Sequence, residues 1–324
     1  MKAVRIHEFG GPEVLRYENV ETPAPGPGQV LVRIRAAAVN PVDVAVRRNS
    51  FPTPKQPPKT LGSDGAGIVE TVGSDVEGVA PGDEVFFTGL GIGSEGSYAE
   101  YALIAPAQAV RKPPGSSFEE AAALGLAFAT AWYGLVRRAD LAAGETVLVQ
   151  GGAGGVGSAA VQLAHARGAR VLATVGSAGD AERVRALGAD ETIDRKATDV
   201  AAEVGRLTDG KGVDVILELI LSANLTADLG MIAKGGRIVG IGGGPEPTVT
   251  LPTGPAIAVD ASLLFASSSN AGRAGTAEIL AEVARLVAEG KLRPVVGKVL
   301  PLAQAREAHE LLEGHHFGKI VLVP

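Results

Sequence analysis

The sequence predicts an α/β protein of two domains, with a β-rich first part followed by a parallel sheet of alternating strands and helices. Residues 1–120 contain short segments rich in Val, Ile or aromatic residues, separated by turns such as 25–28 (PGPG) and 81–83 (PGD). Short strands at this spacing are typical of a β-barrel or sandwich. From about residue 120 strands and helices alternate, as βαβ units do. The length of 324 residues suits two domains of ordinary size.

The individual elements follow from hydrophobic pattern and turn signals. In the β-rich part we expect strands at residues 4–6, 30–36, 67–72, 84–87 and 98–104. Ser116 and Ser117 precede the acidic pair Glu119 and Glu120, which predicts the cap and first turn of a helix that runs toward residue 138. We then expect strands at 146–150, 170–175, 213–217 and 237–241, helices at 156–167, 181–187, 201–207, 225–232 and 276–289, and a strand-like tail at 320–323.

Composition excludes several classes of protein. The chain has no cysteine, so disulfides, cysteine nucleophiles, iron–sulfur clusters and thiolate zinc sites are excluded. The net charge of −6 and the lack of a long Lys/Arg run argue against nucleic-acid and anionic-membrane partners. Lys2, Arg5 and Glu8 interrupt any signal-peptide apolar region, and the apolar stretch 121–136 is too short to span a bilayer. We therefore expect a cytoplasmic location.

The strongest single motif is a glycine-rich turn after the first strand of the alternating part. Gly152, Gly154 and Gly157 satisfy G-x-G-x-x-G between the predicted strand 146–150 and the predicted helix 156–167. In this context the glycines permit a tight turn, a close approach of a pyrophosphate and close helix–strand packing. The helix N-terminus then offers N–H donors to the phosphates. The motif predicts a Rossmann-type dinucleotide site; the alternative is a plain tight turn.

The end of the second strand of this part favours NADPH over NADH. It ends in Gly176 and Ser177, without the carboxylate that usually holds the ribose 2′-hydroxyl of NAD. This neutral end leaves room for a 2′-phosphate, to which Ser177 can donate a hydrogen bond and Arg183 or Arg195 can supply charge. The alternative for the two arginines is a solvated helix face and a surface loop, and the nearby Asp180 opposes a phosphate site.

An ordered series of short motifs runs through the chain. They are MKAV at 1–4, GGPEVL at 10–15, PGPGQVLV at 25–32, AVNPVD at 38–43, GSDGAG at 62–67, GDEV at 82–85, GSYAEY at 96–101, TAW at 130–132 and GKIVL at 318–322. Over essentially its whole length the chain thus resembles the zinc-independent quinone oxidoreductase (zeta-crystallin-like) branch of the medium-chain dehydrogenase/reductase superfamily. The resemblance implies a GroES-like β-barrel catalytic domain from residues 1–122 and 264–324, a Rossmann domain at 123–263, and a homodimer.

The resemblance also implies chemistry without zinc. Zinc-dependent alcohol dehydrogenases of this fold need a catalytic Cys and His, but Asn40 stands in the stretch of that Cys, and residues 62–64 (GSD) replace Gly-His-Glu. His315 and His316 are expected in a solvated loop. Without a Lewis acid, an alcohol has no evident route to lose its proton. A quinone or an activated α,β-unsaturated carbonyl accepts a hydride directly, its developing oxyanion is held by donors, and water supplies the proton. We therefore predict an NADPH-dependent oxidoreductase acting on such small molecules.

By resemblance, a set of residues surrounds the cofactor and the acceptor. Asn40 and Asp43 are the catalytic candidates, and Asn40 is the preferred donor to the substrate oxygen. The expected cofactor-binding residues are Asn40, Thr130, Gly152, Gly154, Gly155, Val156, Gly157, Gly176, Ser177, Arg183, Arg195, Gly240, Ile241, Gly242, Phe265 and Ser267. As structural alternatives, Asn40 and Asp43 cap a short helix, Thr130 is a buried helix hydroxyl, and residues 240–244 form a plain strand-end turn.

Departures from the family pattern leave the acceptor site open. The family often has Tyr where this chain has Ala45, Phe51 and Phe128, so we assign no general acid and expect a more apolar acceptor site. Two other functions stay possible on the sequence. One is an enoyl-thioester reductase of the same superfamily, which needs a basic patch that the β-rich part does not show. The other is a catalytically silent NADPH-binding protein.

Overall fold

Contacts divide the chain into two compact units. The computed structural model describes residues 1–244, 246 and 248–324. One unit comprises Met1–Ala129 and Ala271–Pro324, and the other comprises Thr130–Asn270. The sequence places the domain limits at 122/123 and 263/264, and the first limit lies within the helix Phe118–Trp132 in both descriptions. The assignment of residues 1–122 with 264–324 and of 123–263 to two domains stays a prediction.

The chain before residue 140 is mainly β-structure. Its elements are β1 (Lys2–Ile6), β2 (Arg16–Asn19), β3 (Val30–Ala38), α1 (Pro41–Arg47), β4 (Lys59–Thr60), β5 (Asp64–Val72), β6 (Glu84–Phe87), β7 (Tyr101–Ile104), β8 (Val110–Arg111) and α2 (Phe118–Trp132). Pro41 at the first position of α1 starts that helix without losing a hydrogen bond. A π-helical turn, Tyr133–Arg138, follows α2.

The middle of the chain alternates between strands and helices, and the tail adds two of each. The middle contains β9 (Thr146–Val149), α3 (Gly155–Ala166), β10 (Arg170–Val175), α4 (Ala178–Arg185), β11 (Glu191–Asp194), α5 (Val200–Leu207), β12 (Val213–Glu218), α6 (Leu221–Asp228), β13 (Ile232–Gly240), α7 (Thr253–Ala258) and β14 (Ser262–Phe265). The tail contains α8 (Gly272–Ala288), β15 (Val296–Pro301), α9 (Ala305–Glu313) and β16 (Lys319–Val323).

The unit formed by both ends of the chain is built on two sheets. Among the described residues, one sheet has the order β2-β1-β4, and the other has the order β15-β16-β3-β5-β6-β8 with β7 also paired to β3. β15 and β16 pair in parallel, whereas the pairs around β3 are antiparallel. Val30, Val32 and Ile34 alternate into the core along β3, as a strand with one buried face does. The prediction of a β-rich first part is therefore confirmed.

The other unit contains a parallel sheet with the order β11-β10-β9-β12-β13-β14. Each neighbouring pair in this described sheet is parallel. Val147, Leu148 and Val149 of β9 are fully buried, because helices cover both faces of such a sheet and its strands become continuous apolar runs. The strand order reverses between β9 and β12, which is the point where sheets of this kind bind ligands at the carboxyl ends of their strands.

Some elements differ from the sequence prediction. The helix expected at 225–232 lies earlier, as α6 at Leu221–Asp228, and Ile232 already begins β13. β11 was not expected because only Ile193 of its residues is buried, so the strand shows no apolar alternation. The described residues contain no helix with the length and hydropathy needed to cross a bilayer.

Candidate functional site

The glycine-rich turn joins β9 to α3 at the carboxyl edge of the parallel sheet. Gly151 has a φ of 69°, in the left-handed region that glycine adopts without strain. The N–H of Gly152 donates to the carbonyl of Thr174 at the end of β10, at 2.8 Å. The turn is thus tied to the neighbouring strand by its own backbone.

The three motif glycines differ in how much space the structure leaves for a Cβ atom. A Cβ on Gly157 would lie 2.0 Å from the carbonyl oxygen of Gly151, so α3 packs against the turn only without that carbon. A Cβ on Gly152 would lie 3.0 Å from the Cβ of Ala173. A Cβ on Gly154 would meet only the Gly151 oxygen, at 3.6 Å. Nothing inside the described protein therefore requires glycine at 154, which points to an approaching ligand.

The turn has the features of a pyrophosphate site. Gly155 and Val156 are the first residues of α3, whose first-turn N–H groups have no acceptor within the helix. These donors, together with the partial positive charge of the helix N-terminus, attract anions. The predicted residues Gly152, Gly154 and Gly157 are thus brought together with them, and the surroundings fit the phosphates of a dinucleotide.

The end of β10 differs in detail from the expected 2′-phosphate site. Ser177 caps α4: its hydroxyl accepts from the N–H of Asp180 and donates to the carboxylate of Asp180 at 2.8 Å. Asp180 is itself buried. The hydroxyl of Ser177 is therefore engaged within the helix cap. Gly176 directly precedes this cap, and Arg183 and Arg195 are exposed.

A polar chain connects the glycine turn to two buried carboxyl groups. The N–H of Gly151 donates to Oγ1 of Thr174 at 2.8 Å, and that hydroxyl donates to Oε1 of Gln150 at 2.9 Å. Nε2 of Gln150 donates to Oδ1 of Asp228 at 3.2 Å. Glu218, the last residue of β12, and Asp228 are both fully buried. No sequence motif marks this series of hydrogen bonds, because its four polar residues lie on separate elements.

The remaining residues predicted on the nicotinamide side lie at the ends of β13 and β14. The N–H of Ile241 donates to the carbonyl of Glu218 at 2.8 Å, and a Cβ on Gly242 would lie 2.1 Å from the oxygen of Leu219. Gly240 and Phe265 are paired neighbours that end the two strands.

Side chains near these strand ends vary in exposure. Phe265 is 62 % exposed. The hydroxyl of Ser267 contacts that of Ser269, and Thr130 contacts Ser268 at 3.3 Å. Thr130 is buried in α2, and its place beside the cofactor stays a prediction.

The other unit contains a buried polar cluster that includes both catalytic candidates. Nδ2 of Asn40 donates to Oδ2 of Asp64 at 2.9 Å and to the carbonyl of Ala38 at 3.2 Å. Nζ of Lys319 donates to Oδ1 of Asn40 and to the carbonyl of Val39, and lies 3.6 Å from Oδ2 of Asp64. The polar atoms of the Asn40 side chain are thus satisfied within the described protein.

Asp43 occupies the centre of a second set of hydrogen bonds. Its carboxylate accepts from the hydroxyl of Ser63 at 3.0 Å, the hydroxyl of Tyr98 at 2.9 Å and the N–H of Asn40 at 2.9 Å. Burial first, and then the charge of Asp64, raise the pKa of Asp43 to about 6. Burial raises the pKa of Tyr98 and lowers that of Lys319.

Asp64 also shapes the helix that follows. Its Oδ1 accepts from the N–H of Leu126 at 2.9 Å, where Gly125 interrupts the helical geometry of α2. A Cβ on Gly125 would lie 2.4 Å from that same oxygen. Asn40 and Asp43 therefore belong to a network that holds β3, α1, β5 and β16 together. Its members Asp64, Tyr98 and Lys319 lie in motifs of the family resemblance, but only the folded structure shows that they contact one another and Asp43 in the core.

The acidic and histidine side chains of the described residues do not cluster as metal ligands. Among the described residues no group of three or more His, Cys, Asp or Glu side chains is placed to hold one. His315 is exposed and His316 is partly exposed.

Comparison with known proteins agrees with this architecture. Residues 26–114 match the family model of the alcohol dehydrogenase GroES-like domain, and residues 187–322 match that of zinc-binding dehydrogenases. The human quinone oxidoreductase is 34 % identical over 326 residues, covering 100 % of this chain and 98 % of the relative.

Two solved structures are also similar along their whole length, with 100 % of each chain covered. One is an NAD-dependent alcohol dehydrogenase, at a TM-score of 0.93 and 40 % identity. The other is the Escherichia coli quinone oxidoreductase complexed with NADPH, at a TM-score of 0.90 and 29 % identity.

The fold and these matches define the class first: an oxidoreductase that combines a GroES-like domain with a Rossmann-type parallel sheet. Within that class, the chain belongs to the quinone oxidoreductase branch of the medium-chain dehydrogenase/reductase superfamily. The fold class and the family expected from the sequence are confirmed.

Proposed function

We propose that this protein is an NADPH-dependent oxidoreductase that reduces quinones or activated α,β-unsaturated carbonyls without zinc. The observation that carries the proposal is the turn at Gly154. It is open on the side where a pyrophosphate approaches, and it lies at the N-terminus of α3. The NADPH complex of the similar Escherichia coli enzyme and the quinone oxidoreductase names of the relatives support it.

The chain's own part in the reaction is to bind and orient. When bound, NADPH supplies a hydride from its nicotinamide ring. The N–H groups of Gly155 and Val156 would hold the pyrophosphate, and the backbone around Gly240 and Ile241 would line the nicotinamide side. Fixing both reactants in one geometry removes much of the entropic barrier to transfer.

The preference for NADPH rests on what the end of β10 lacks. No carboxylate follows Val175 directly, and the next one along the chain, on Asp180, is buried and accepts a hydrogen bond from the hydroxyl of Ser177. The exposed Arg183 and Arg195 lie on α4 and just after β11. Because the chain is also similar to an NAD-dependent alcohol dehydrogenase, NADPH and NADH must be compared directly. Steady-state kcat/KM for NADPH should exceed that for NADH, and equal values would reject the preference.

Zinc independence rests on the chemistry of the donor set. Where the zinc enzymes carry Cys and His, this chain has Asn40, Ser63 and Asp64. The amide oxygen of Asn40 and the carboxylate of Asp64 already hold the ammonium group of Lys319. An amide, a hydroxyl and a neutralised carboxylate are poor zinc ligands compared with thiolate and imidazole. We expect activity to survive exhaustive treatment with a chelator, and a metal-dependent loss and recovery would contradict this.

A screen of acceptors separates the candidate functions. NADPH oxidation is followed with 1,4-benzoquinone, 9,10-phenanthrenequinone, an alkenal and crotonyl-CoA. Turnover of the quinones or the alkenal supports the proposal, whereas a strong preference for crotonyl-CoA indicates an enoyl-thioester reductase. Tight NADPH binding without turnover of any acceptor indicates a silent cofactor-binding protein.

The role of Asn40 as donor to the substrate oxygen needs its own test, because both of its N–H groups are used inside the described protein. In the Asn40→Ala variant, kcat for enone reduction should fall while KM for NADPH stays near the wild-type value. Ser63→Ala, which removes a different hydrogen bond of the same cluster, is the control. Unchanged enone reduction by Asn40→Ala would leave Asn40 with only a structural role in the buried network.

We also propose a homodimer, as the resemblance implies, and a cytoplasmic location. Light scattering after size exclusion should give twice the chain mass of 32.8 kDa. A monomer mass would contradict the dimer.

A further inference from the structure

The hydrogen bonds behind the glycine turn run in one direction. Starting at the N–H of Gly151, each group donates to the next, through Thr174 and Gln150 to Asp228. Hydrogen bonds in such a series polarise one another, so a change of charge at one end alters the strength of the bonds at the other end. Gln150 is also tied by its own N–H to the carbonyl of Leu217 in β12, at 3.1 Å. The turn is thereby coupled to the strand that carries Glu218.

The far end of this chain is a pair of buried carboxyl groups with unequal surroundings. Glu218 accepts from the N–H of Ile220 and from the amide of Asn224 at 3.1 and 3.2 Å. Asp228 accepts one hydrogen bond from a donor group, that of Gln150, and its Oδ2 is buried with no donor among the described residues; its hydrogen bond with Glu218 needs a shared proton. Donors stabilise a carboxylate, and burial without donors favours the neutral acid. The proton of the pair therefore belongs on Asp228.

The titratable groups that face Asp228 point the same way. Burial is the larger cause and the charge of Glu218 the second, and together they raise the pKa of Asp228 to about 8. The hydrogen bond from Gln150 lowers it by a smaller amount. Two like charges in a shared buried site cannot both form readily. The pair then holds one proton at neutral pH and releases it in alkaline solution.

We propose that Asp228 is a positioning residue for the cofactor: its proton keeps a second negative charge out of the network behind the glycine turn, and cofactor binding is tight only while that proton is present. The inference rests on the proposed dinucleotide site. Loss of the proton adds a negative charge that repels the pyrophosphate. The same charge repels the carboxylate of Glu218, and this repulsion disturbs the hydrogen bonds of Gln150 and Thr174. Because the bound cofactor favours the protonated pair, its binding must raise the pKa of the pair and take up protons.

The test is cofactor binding, measured without turnover. The Kd for NADPH is determined by fluorescence titration of the wild-type protein from pH 7 to pH 9.5, and the Kd for NADH, which lacks the 2′-phosphate, is measured alongside. For both we expect a rise of about three- to tenfold, the order that one added charge at moderate distance produces. Calorimetry near pH 8 in buffers of different ionisation enthalpy should show uptake of part of a proton.

Substitutions of matched shape separate this role from a structural one. Asp228→Asn is neutral at every pH, so its Kd should change less than twofold over the same range and its binding should take up no proton. Asp214→Asn changes another carboxylate of the same unit, which accepts from Thr146 at the start of β9, and should keep the alkaline step. Thr174→Val should weaken binding, whereas Thr174→Ser should retain it.

The outcomes distinguish failure of the inference from failure of the proposed function. If the wild-type protein binds neither NADPH nor NADH at pH 7, the proposed function fails. If it binds them with the same Kd from pH 7 to 9.5 and no proton uptake, the inference alone is wrong. An alkaline step that persists in a folded Asp228→Asn protein would also overturn it. Proton uptake by the wild type needs no variant, so the test stands even if a variant does not fold.

Discussion

The glycines at 154 and 157 belong to one motif, but the structure separates their roles. A Cβ at 157 would lie 2.0 Å from the oxygen and 2.7 Å from the carbon of Gly151, whereas a Cβ at 154 meets only that oxygen, at 3.6 Å. Ordinary contacts of a Cβ begin near 3.4 Å. Gly154→Ala should therefore fit the apo protein, and Gly157→Ala should force α3 and the turn apart.

The size of each effect follows from these contacts. Restoring ordinary distance at residue 157 requires a shift of about 1.4 Å between two backbone segments, and overpacking of this kind costs about 1–3 kcal/mol. At residue 154 the new methyl group meets no such obstacle, and its φ of −76° suits alanine. We expect the free energy of unfolding of the Gly154→Ala variant to differ from that of the wild type by less than about 0.5 kcal/mol, as at sites without a specific clash. The methyl group instead takes the space of the approaching phosphate, and we expect the Kd for NADPH to rise about tenfold or more.

Two measurements on both variants check this reasoning. Denaturant unfolding without cofactor reports the free energy of unfolding, and fluorescence titration reports the Kd for NADPH. Gly157→Ala should lose both stability and affinity, while Gly154→Ala should lose affinity alone. Wild-type affinity in Gly154→Ala would refute the approach of the pyrophosphate at this glycine. Undiminished stability in Gly157→Ala would refute the steric account of the third glycine.

Three further substitutions test the buried clusters and the cofactor preference. Lys319→Met leaves the buried carboxylate of Asp64 without its ammonium partner, and we expect a loss of about 3–5 kcal/mol in denaturant unfolding; a loss below 1 kcal/mol would contradict the pairing. Burial, and then the charge of Arg47, lower the pKa of His309 to about 3, so below pH 6.5 the unfolded chain binds a proton that the folded protein excludes. The stability that this group contributes is complete above pH 6.5 and falls toward pH 3. Between pH 7 and 5 the His309→Gln variant should therefore lose about 2 kcal/mol less of its free energy of unfolding than the wild-type protein does. Equal losses in the two proteins would reject this. Gly176→Asp adds a carboxylate at the end of β10, and the ratio of kcat/KM for NADPH to that for NADH should fall about tenfold or more; an unchanged ratio would locate the ribose elsewhere.

Local patterns in the sequence were sufficient for the glycine turn and the four central strands of the Rossmann-type sheet. The G-x-G-x-x-G spacing predicted the turn between β9 and α3, because a glycine's lack of a Cβ acts over a few residues. The alternation of strands and helices predicted the parallel sheet, because βαβ units place their strands side by side in the same direction. The helix expected at 225–232 was misplaced because the start of α6 depends on a tertiary contact: the N–H of Leu221, the first residue of α6, donates to the carbonyl of Gly242 just after β13, at 3.0 Å. No local pattern encodes that contact.

The contacts within the polar clusters could not be predicted from the sequence. The family resemblance pointed to Asn40 and Asp43, but Lys319 reaches Asn40 from the other end of the chain. Likewise Gln150 follows β9, Thr174 belongs to β10 and Asp228 ends α6, yet hydrogen bonds connect the three. Hydrogen bonds between residues distant in sequence follow from chain packing, and a single sequence does not state them.

By itself the sequence determined the fold class, the glycine turn and the absence of thiolate chemistry, because these follow from composition and from backbone geometry over short stretches. Only the tertiary structure decided which polar groups are buried, which of them share hydrogen bonds, and where a carboxyl group keeps its proton. The physical reason is that solvation and charge depend on everything packed around a group. Asp43 and Asp228 have ordinary neighbours in the chain, yet burial beside a second carboxyl group raises the pKa of each.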